Sequence, residues 1–301
     1  MTSTLLLVLF SLGYGAVFVL EAMRLRRRAA FAPQAVLVAA AGAVTLQTLF
    51  LMGRAIGQSA SPLSTPYDWY LLAAWALAVV YLYLGYEFPK AAMGLFFMPL
   101  VLALIGGAQF AGVSRFSPER ASRLWGNIHG AFLLLGTVSV LVGFVAGLMY
   151  LLQSRRLKQK RMPTARLRLP SLEWLERASG RALHWSVLLI GIGFVSGAIL
   201  VAGRGSARAT WTDPVVLSLS LMFFWLVAAS IFNLAYRPAR RGRKVAYLTV
   251  ANFVFLAIVL AVLLLSSSQH AVPAAKLSQS PEASPFAASG SRPEVSREAR
   301  S

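Results

Sequence analysis

The chain contains no cysteine. Disulfides, thiolate nucleophiles and thiolate metal sites are all excluded by that absence. Histidine is nearly as scarce, with three in 301 residues, too few for a structural zinc site. Acidic residues number ten against 29 Lys and Arg, a net charge of +19. In a soluble protein that excess would point to nucleic acid; here the basic residues sit in short loops between apolar blocks and form no nucleic-acid module. Nucleic acid is therefore not an expected partner, and no nucleophile paired with a base marks an enzyme.

What the chain has in quantity is apolar residue, 57% against 13% charged, laid down in long blocks instead of amphipathic alternation. The blocks run over residues 5–20, 34–53, 69–87, 91–111, 128–152, 182–202, 214–236 and 245–267. Each is about 20 residues, enough at a helical rise of about 1.5 Å to cross a bilayer core of about 30 Å. The expected fold is all-α: a polytopic membrane bundle of eight transmembrane helices with both termini outside. The first block is followed, not preceded, by Arg24, Arg26, Arg27 and Arg28, so it reads as an uncleaved helix and not a signal peptide.

Loop charge tests that count, because cytoplasmic loops carry the Lys and Arg excess. Alternate loops hold nineteen Lys and Arg; the intervening ones hold six, at Arg54, Arg115, Arg120, Arg123, Arg204 and Arg208. Aromatic belts agree: Tyr67, Trp69, Trp125 and Trp211 fall toward the outer surface, and Tyr86, Tyr150, Trp185, Tyr236 and Tyr247 toward the inner one. The segment LPSLEWLERASGRAL (169–183) spaces its leucines as a short amphipathic helix along the inner interface. Residues 1–267 are read as one transmembrane domain. Residues 268–301, rich in Ser, Ala, Pro and Glu, are read as a disordered outer tail.

On this topology His129, at the start of the fifth block, and His270, after the eighth, lie outside, with the loop GRGSARATWTDPVV (203–216) carrying Arg204, Arg208, Trp211 and Asp213. Two imidazoles and an aromatic-bearing loop at one face are what a haem site requires: axial nitrogen ligands and a flat apolar surface. A histidine at a helix end also serves as an interfacial polar group, and for His270 that alternative stays open. His184, beside Trp185 and an Arg-rich loop, reads as part of the inner belt. Asp213–Pro214 reads as an N-cap followed by proline in the first turn, and Asp68 as a cap of the third block.

Several pieces in order carry a resemblance: PLSTPYDWYLLAAW (62–75); NIHGAFLLLGTVSVLVGFVAGLMYLLQSRRLKQKR (127–161); LPSLEWLERASGRAL (169–183); GIGFVSGAI (191–199); and Asp213–Pro214 ahead of a helix with Trp225. Between about 45 and 270 the chain resembles the cytochrome c assembly family of membrane proteins: the haem-handling CcsA and ResC branch, the HemX-like group and, more distantly, CcmC. The resemblance implies His129 and His270 as axial ligands of a non-covalent, b-type haem at the outer face, with Trp211 and Asp213 in the haem-facing loop. Arg204 and Arg208 in that loop are suited to the haem propionates. The loop departs from the family's tryptophan-rich form, since Thr210 and Thr212 occupy Trp positions and Trp211 is one place out of register. At the family's two inner histidine positions stand Ala60 and Asn233, which puts transport of haem across the membrane in question.

The implied function is haem handling at the outer face of the cytoplasmic membrane during cytochrome c assembly, with haem, an apocytochrome c and a second membrane assembly subunit as partners. The alternative is a HemX-like regulatory or scaffolding protein that handles no haem. An ion-coupled transporter is disfavoured, because the crossings hold almost no ionisable residues.

Overall fold

The computed structural model of the chain describes residues 2–26, 33–57, 65–111, 124–159, 168–202, 214–235 and 243–269. Among the described residues there are eight helices and no strand. They are α1 (Thr2–Arg26), α2 (Pro33–Gly57), α3 (Pro66–Glu87), α4 (Gly94–Phe110), α5 (Leu124–Lys158), α6 (Leu172–Ala202), α7 (Pro214–Ala235) and α8 (Arg243–Gln269). Seven are long and apolar enough to cross a membrane. The eighth, α4, has 17 residues, which at about 1.5 Å each lies at the short limit for a span. The protein is a polytopic membrane helix bundle, as the apolar blocks predict.

Neighbouring helices run antiparallel, and side-chain contacts fix their register. In α1 the residues Phe10, Tyr14, Val17 and Glu21, spaced four, three and four apart, form a buried stripe. Phe10 meets Phe50 of α2 edge to face, and Tyr14 Oη donates to Gln47 Oε1 at 2.6 Å. Gln47 Nε2 in turn donates to the Leu71 carbonyl of α3, and Trp75 Nε1 to Thr48 Oγ1. Such bonds between membrane helices contribute about 0.6 kcal/mol each on average. They also set register, because an unpaired polar group in hydrocarbon is expensive.

The second half is seamed by small residues. Gly193 and Gly197 of α6 let α5 approach: a Cβ at Gly193 would stand 2.7 Å from Leu133, and one at Gly136 of α5 would collide with Ile190. Ser139 Oγ donates to the Ala182 carbonyl across the same seam. On another side of α5, Gly143 and Gly147 face Thr249 and Ala246 of α8, and Phe144 stacks on Phe253 at 3.9 Å between centroids. Two small-xxx-small pairs therefore hold α5 between α6 and α8, the arrangement that gives membrane helices close van der Waals packing. Trp225 joins α7 to α8 through a hydrogen bond to Asn252 and a stack on Phe255. Tyr70 joins the halves, its hydroxyl donating to the Leu260 carbonyl.

The sequence predicts a separate interfacial helix over 169–183, and here the structure differs. That segment is the start of α6, one continuous helix of 31 residues capped by Ser171, whose hydroxyl accepts from Trp174 N. Continuity wins because each further residue adds a backbone bond, while Leu175 and Leu183 already lie on the face that packs inward. Trp174 meets Phe88 edge to face, and Ala92 N donates to the Arg168 carbonyl, so this overhang braces the α3–α4 connection.

Candidate functional site at the end opposite the basic loops

The contacts sort the helix ends into two groups. Arg24 reaches the Pro89 carbonyl and the start of α6 packs on the α3–α4 connection; these mark the basic end. Arg54, the start of α3, the start of α5 and the later part of α6 lie at the other. The α8 register set by Gly147 against Ala246 and Phe144 against Phe253 brings its last two turns to the level of His129.

His129 is in the second turn of α5, half-buried against α6. Its Nδ1 lies 2.5 Å from the Gly193 carbonyl oxygen, which also accepts from Ser196 Oγ at 2.8 Å. A carbonyl only accepts, so in the neutral ring the proton sits on Nδ1 and Nε2 keeps its lone pair. Gly197 supplies the space: a Cβ there would stand 2.7 Å from His129 Cε1 and 2.8 Å from Nδ1. An imidazole oriented through one nitrogen, with the other left to ligate, is how proteins present histidine to iron or another transition metal.

A second group of polar residues closes the α2–α3 corner of the same end. Thr65 caps α3, accepting from Asp68 N and donating to Asp68 Oδ2. Arg54 of α2 donates to Asp68 Oδ1 through Nε at 2.9 Å and pairs through Nη2 at 2.8 Å, while its guanidinium lies 4.9 Å over the Tyr67 ring. Asp68 therefore does more than close the first turn. Its side chain is only 6% exposed, and it ties α2 to α3 by a largely buried ion pair.

Of the other residues picked out by sequence, His270, Trp211, Asp213, Arg204, Arg208 and Ala60 lie outside the described residues. α7 begins at Pro214, in keeping with proline in a first helical turn. His184 is exposed near the basic end, its Nδ1 facing the Gly180 carbonyl one turn back, away from His129. Asn233 is buried in the basic-end half of α7. Among the described residues no three His, Cys, Asp or Glu side chains meet as a metal cluster.

Glu21 is the residue sequence reasoning misses. Its side chain, 3% exposed, accepts from Tyr81 Oη and pairs with Arg24 through Oε1, while Oε2 is buried with no partner among the described residues. The signal was the spacing from Phe10, Tyr14 and Val17, which places Glu21 on the buried stripe although it follows the apolar block.

The site is defined by a polytopic helical membrane protein that sets one metal-competent imidazole into a helix seam at one end. One family model, described as cytochrome C assembly protein, matches residues 63–270, more than two thirds of the chain. The chain belongs to the cytochrome c assembly protein family, and its role lies in cytochrome c biogenesis. The match takes in α3 to α8; α1 and α2 precede it. No curated protein and no solved structure matches the chain.

Proposed function

We propose that this membrane protein binds haem as cargo at the end of the bundle opposite the basic loops and presents it there for attachment to an apocytochrome c. His129 carries the reading: Nδ1–H is committed to the Gly193 carbonyl, so Nε2 is the nitrogen offered to iron. His270 is the second axial ligand in this proposal. It directly follows Gln269, the last residue of α8, whose final turns stand level with His129. Arg204, Arg208, Trp211 and Asp213 belong to the connection from α6 to α7, and the flanking helix ends lie at the same end. In this role Trp211 supplies a flat apolar face and the two arginines pair with propionates.

The excess of Lys and Arg supports a cytoplasmic basic end, and in this reading the haem end faces outward from the cytoplasmic membrane. Both termini are then outside. Attachment uses the thiols of the apocytochrome, since this chain has none. A second membrane assembly subunit completes the set of partners in this reading. The buried Asn233 favours presentation at one face over passage through the bundle.

The test is the visible spectrum of the chain purified from a host supplied with haem. A low-spin, bis-histidine spectrum that is lost in His129→Ala and in His270→Ala, and kept in His184→Ala, is expected. Absence of haem from the wild-type chain overturns the proposal and leaves the HemX-like scaffolding reading.

A further inference from the structure

One face of α6 changes character in a fixed order along its length. Val195, Ile192 and Leu188 are exposed toward the opposite end, Trp185 is 56% exposed next, and Arg181 and Arg177 follow on the exposed side one and two turns further toward the basic end. At 100° per residue these positions fall within one third of the helix circumference, opposite Leu175, Leu183 and Ile190, which pack inward. Trp185 stands 17 residues before the end of α6, about 25 Å along the axis, the depth of an interface. Arg181 makes no ion pair among the described residues, and Arg177 pairs only with Glu173, both groups largely exposed.

We infer that this face is a binding site for one anionic phospholipid: its phosphate between Arg181 and Arg177, its ester region at Trp185, and an acyl chain along Leu188, Ile192 and Val195. Charge chooses the headgroup, because a cation pair at headgroup depth attracts a net negative lipid and not a zwitterion. The apolar run below it requires chains, so a free anion satisfies only half of the site. Cations at the end of α5 do not offer the same match. The register of Gly143 against Ala182 puts Arg155 and Lys158 at least about 10 Å further out than Arg177. Lipid bound here would clamp the basic end of the α5–α6 seam, whose other end holds His129. The site stands whether or not haem is bound.

The test uses the full chain in mixed micelles with equal phosphatidylglycerol and phosphatidylcholine, counting lipid adducts by native mass spectrometry. The wild-type chain retains phosphatidylglycerol preferentially. Arg177→Gln with Arg181→Gln lowers that preference at least about fivefold at low salt, the value of one unpaired cation, since Glu173 offsets part of the Arg177 charge. The matched control, Arg155→Gln with Lys158→Gln, removes the same charge and keeps most of the preference. Equal retention of the two lipids by the wild type, or an equal loss in the control, overturns the proposal. So does displacement of the lipid by excess inorganic phosphate, which would reveal an anion site without a place for chains.

Discussion

Gly197→Ala tests whether the helix seam sets the histidine. The added Cβ falls 2.7 Å from His129 Cε1 and 2.8 Å from Nδ1, where ordinary contacts begin at 3.4 Å. The ring must retreat by the better part of an ångström, and a hydrogen bond now 2.5 Å long to the Gly193 carbonyl is stretched or lost. Overpacking of this kind costs about 1–3 kcal/mol, and the lost bond about 1 kcal/mol more. Stability alone would not distinguish a functional seam from any tight seam. Gly136→Ala supplies the comparison: it crowds Ile190 in the same α5–α6 interface, about 10 Å along the helix from His129, and leaves the imidazole alone. Both variants should unfold at lower denaturant. Only Gly197→Ala should weaken haem retention or shift the axial-ligand spectrum. If the two variants retain haem equally, with the same spectrum as the wild type, then the seam does not position the ligand and the reasoning fails.

Three further predictions concern the first half of the bundle. Asp68→Ala should cost about 3 kcal/mol, because it breaks a largely buried ion pair and removes a first-turn carboxylate together; Thr65→Ala should cost about 1 kcal/mol, both read from equilibrium unfolding in mixed micelles. Gln47→Leu should cost about 1–2 kcal/mol by stranding the Tyr14 hydroxyl, and adding Tyr14→Phe should recover part of that loss; strictly additive losses would show that the two side chains are not coupled. Glu21→Gln should be neutral or stabilising, since a buried carboxylate with one unpartnered oxygen is costlier to hold than an amide; a loss above about 1 kcal/mol would show that the charge itself is needed.

The number of helices and their nature were legible because a bilayer imposes a length and an apolar character on anything that crosses it. Their ends were less so. α5 and α6 run 35 and 31 residues, well past the apolar blocks, and the start of α6 packs on the α3–α4 connection. Hydropathy marks where a chain meets lipid, and it is silent on where a helix continues beyond it. His129 was legible as a lone imidazole in an apolar block, but its setting was not. That Gly193 supplies the acceptor and Gly197 the space depends on a register between helices 64 residues apart, which no local pattern carries. Asp68 was read as a cap, and its partner Arg54 lay hidden on the preceding helix.

Both halves of the bundle combine inter-helix polar bonds with close glycine contacts, but it is in the second that glycine packs against an imidazole, Gly197 against His129. α1, α2 and α3 are tied by polar bonds at mid-membrane depth, Tyr14 to Gln47 to the Leu71 carbonyl, each of which tolerates a few tenths of an ångström of slack. Glycine contacts leave less slack, since backbone and side chain already touch, and they occur in both halves: Gly13 against Ala43 and Gly85 against Leu37 as well as along the seams of α5 with α6 and α8. A histidine that must keep one nitrogen on a carbonyl and aim the other at a metal needs the stiffer environment. His129 has it, on the seam between α5 and α6 and within the matched family region, whereas α1 and α2 lie before that region. On this view the first two helices stabilise and orient the bundle, and substitutions there should change folding without changing what α5, α6 and α8 hold.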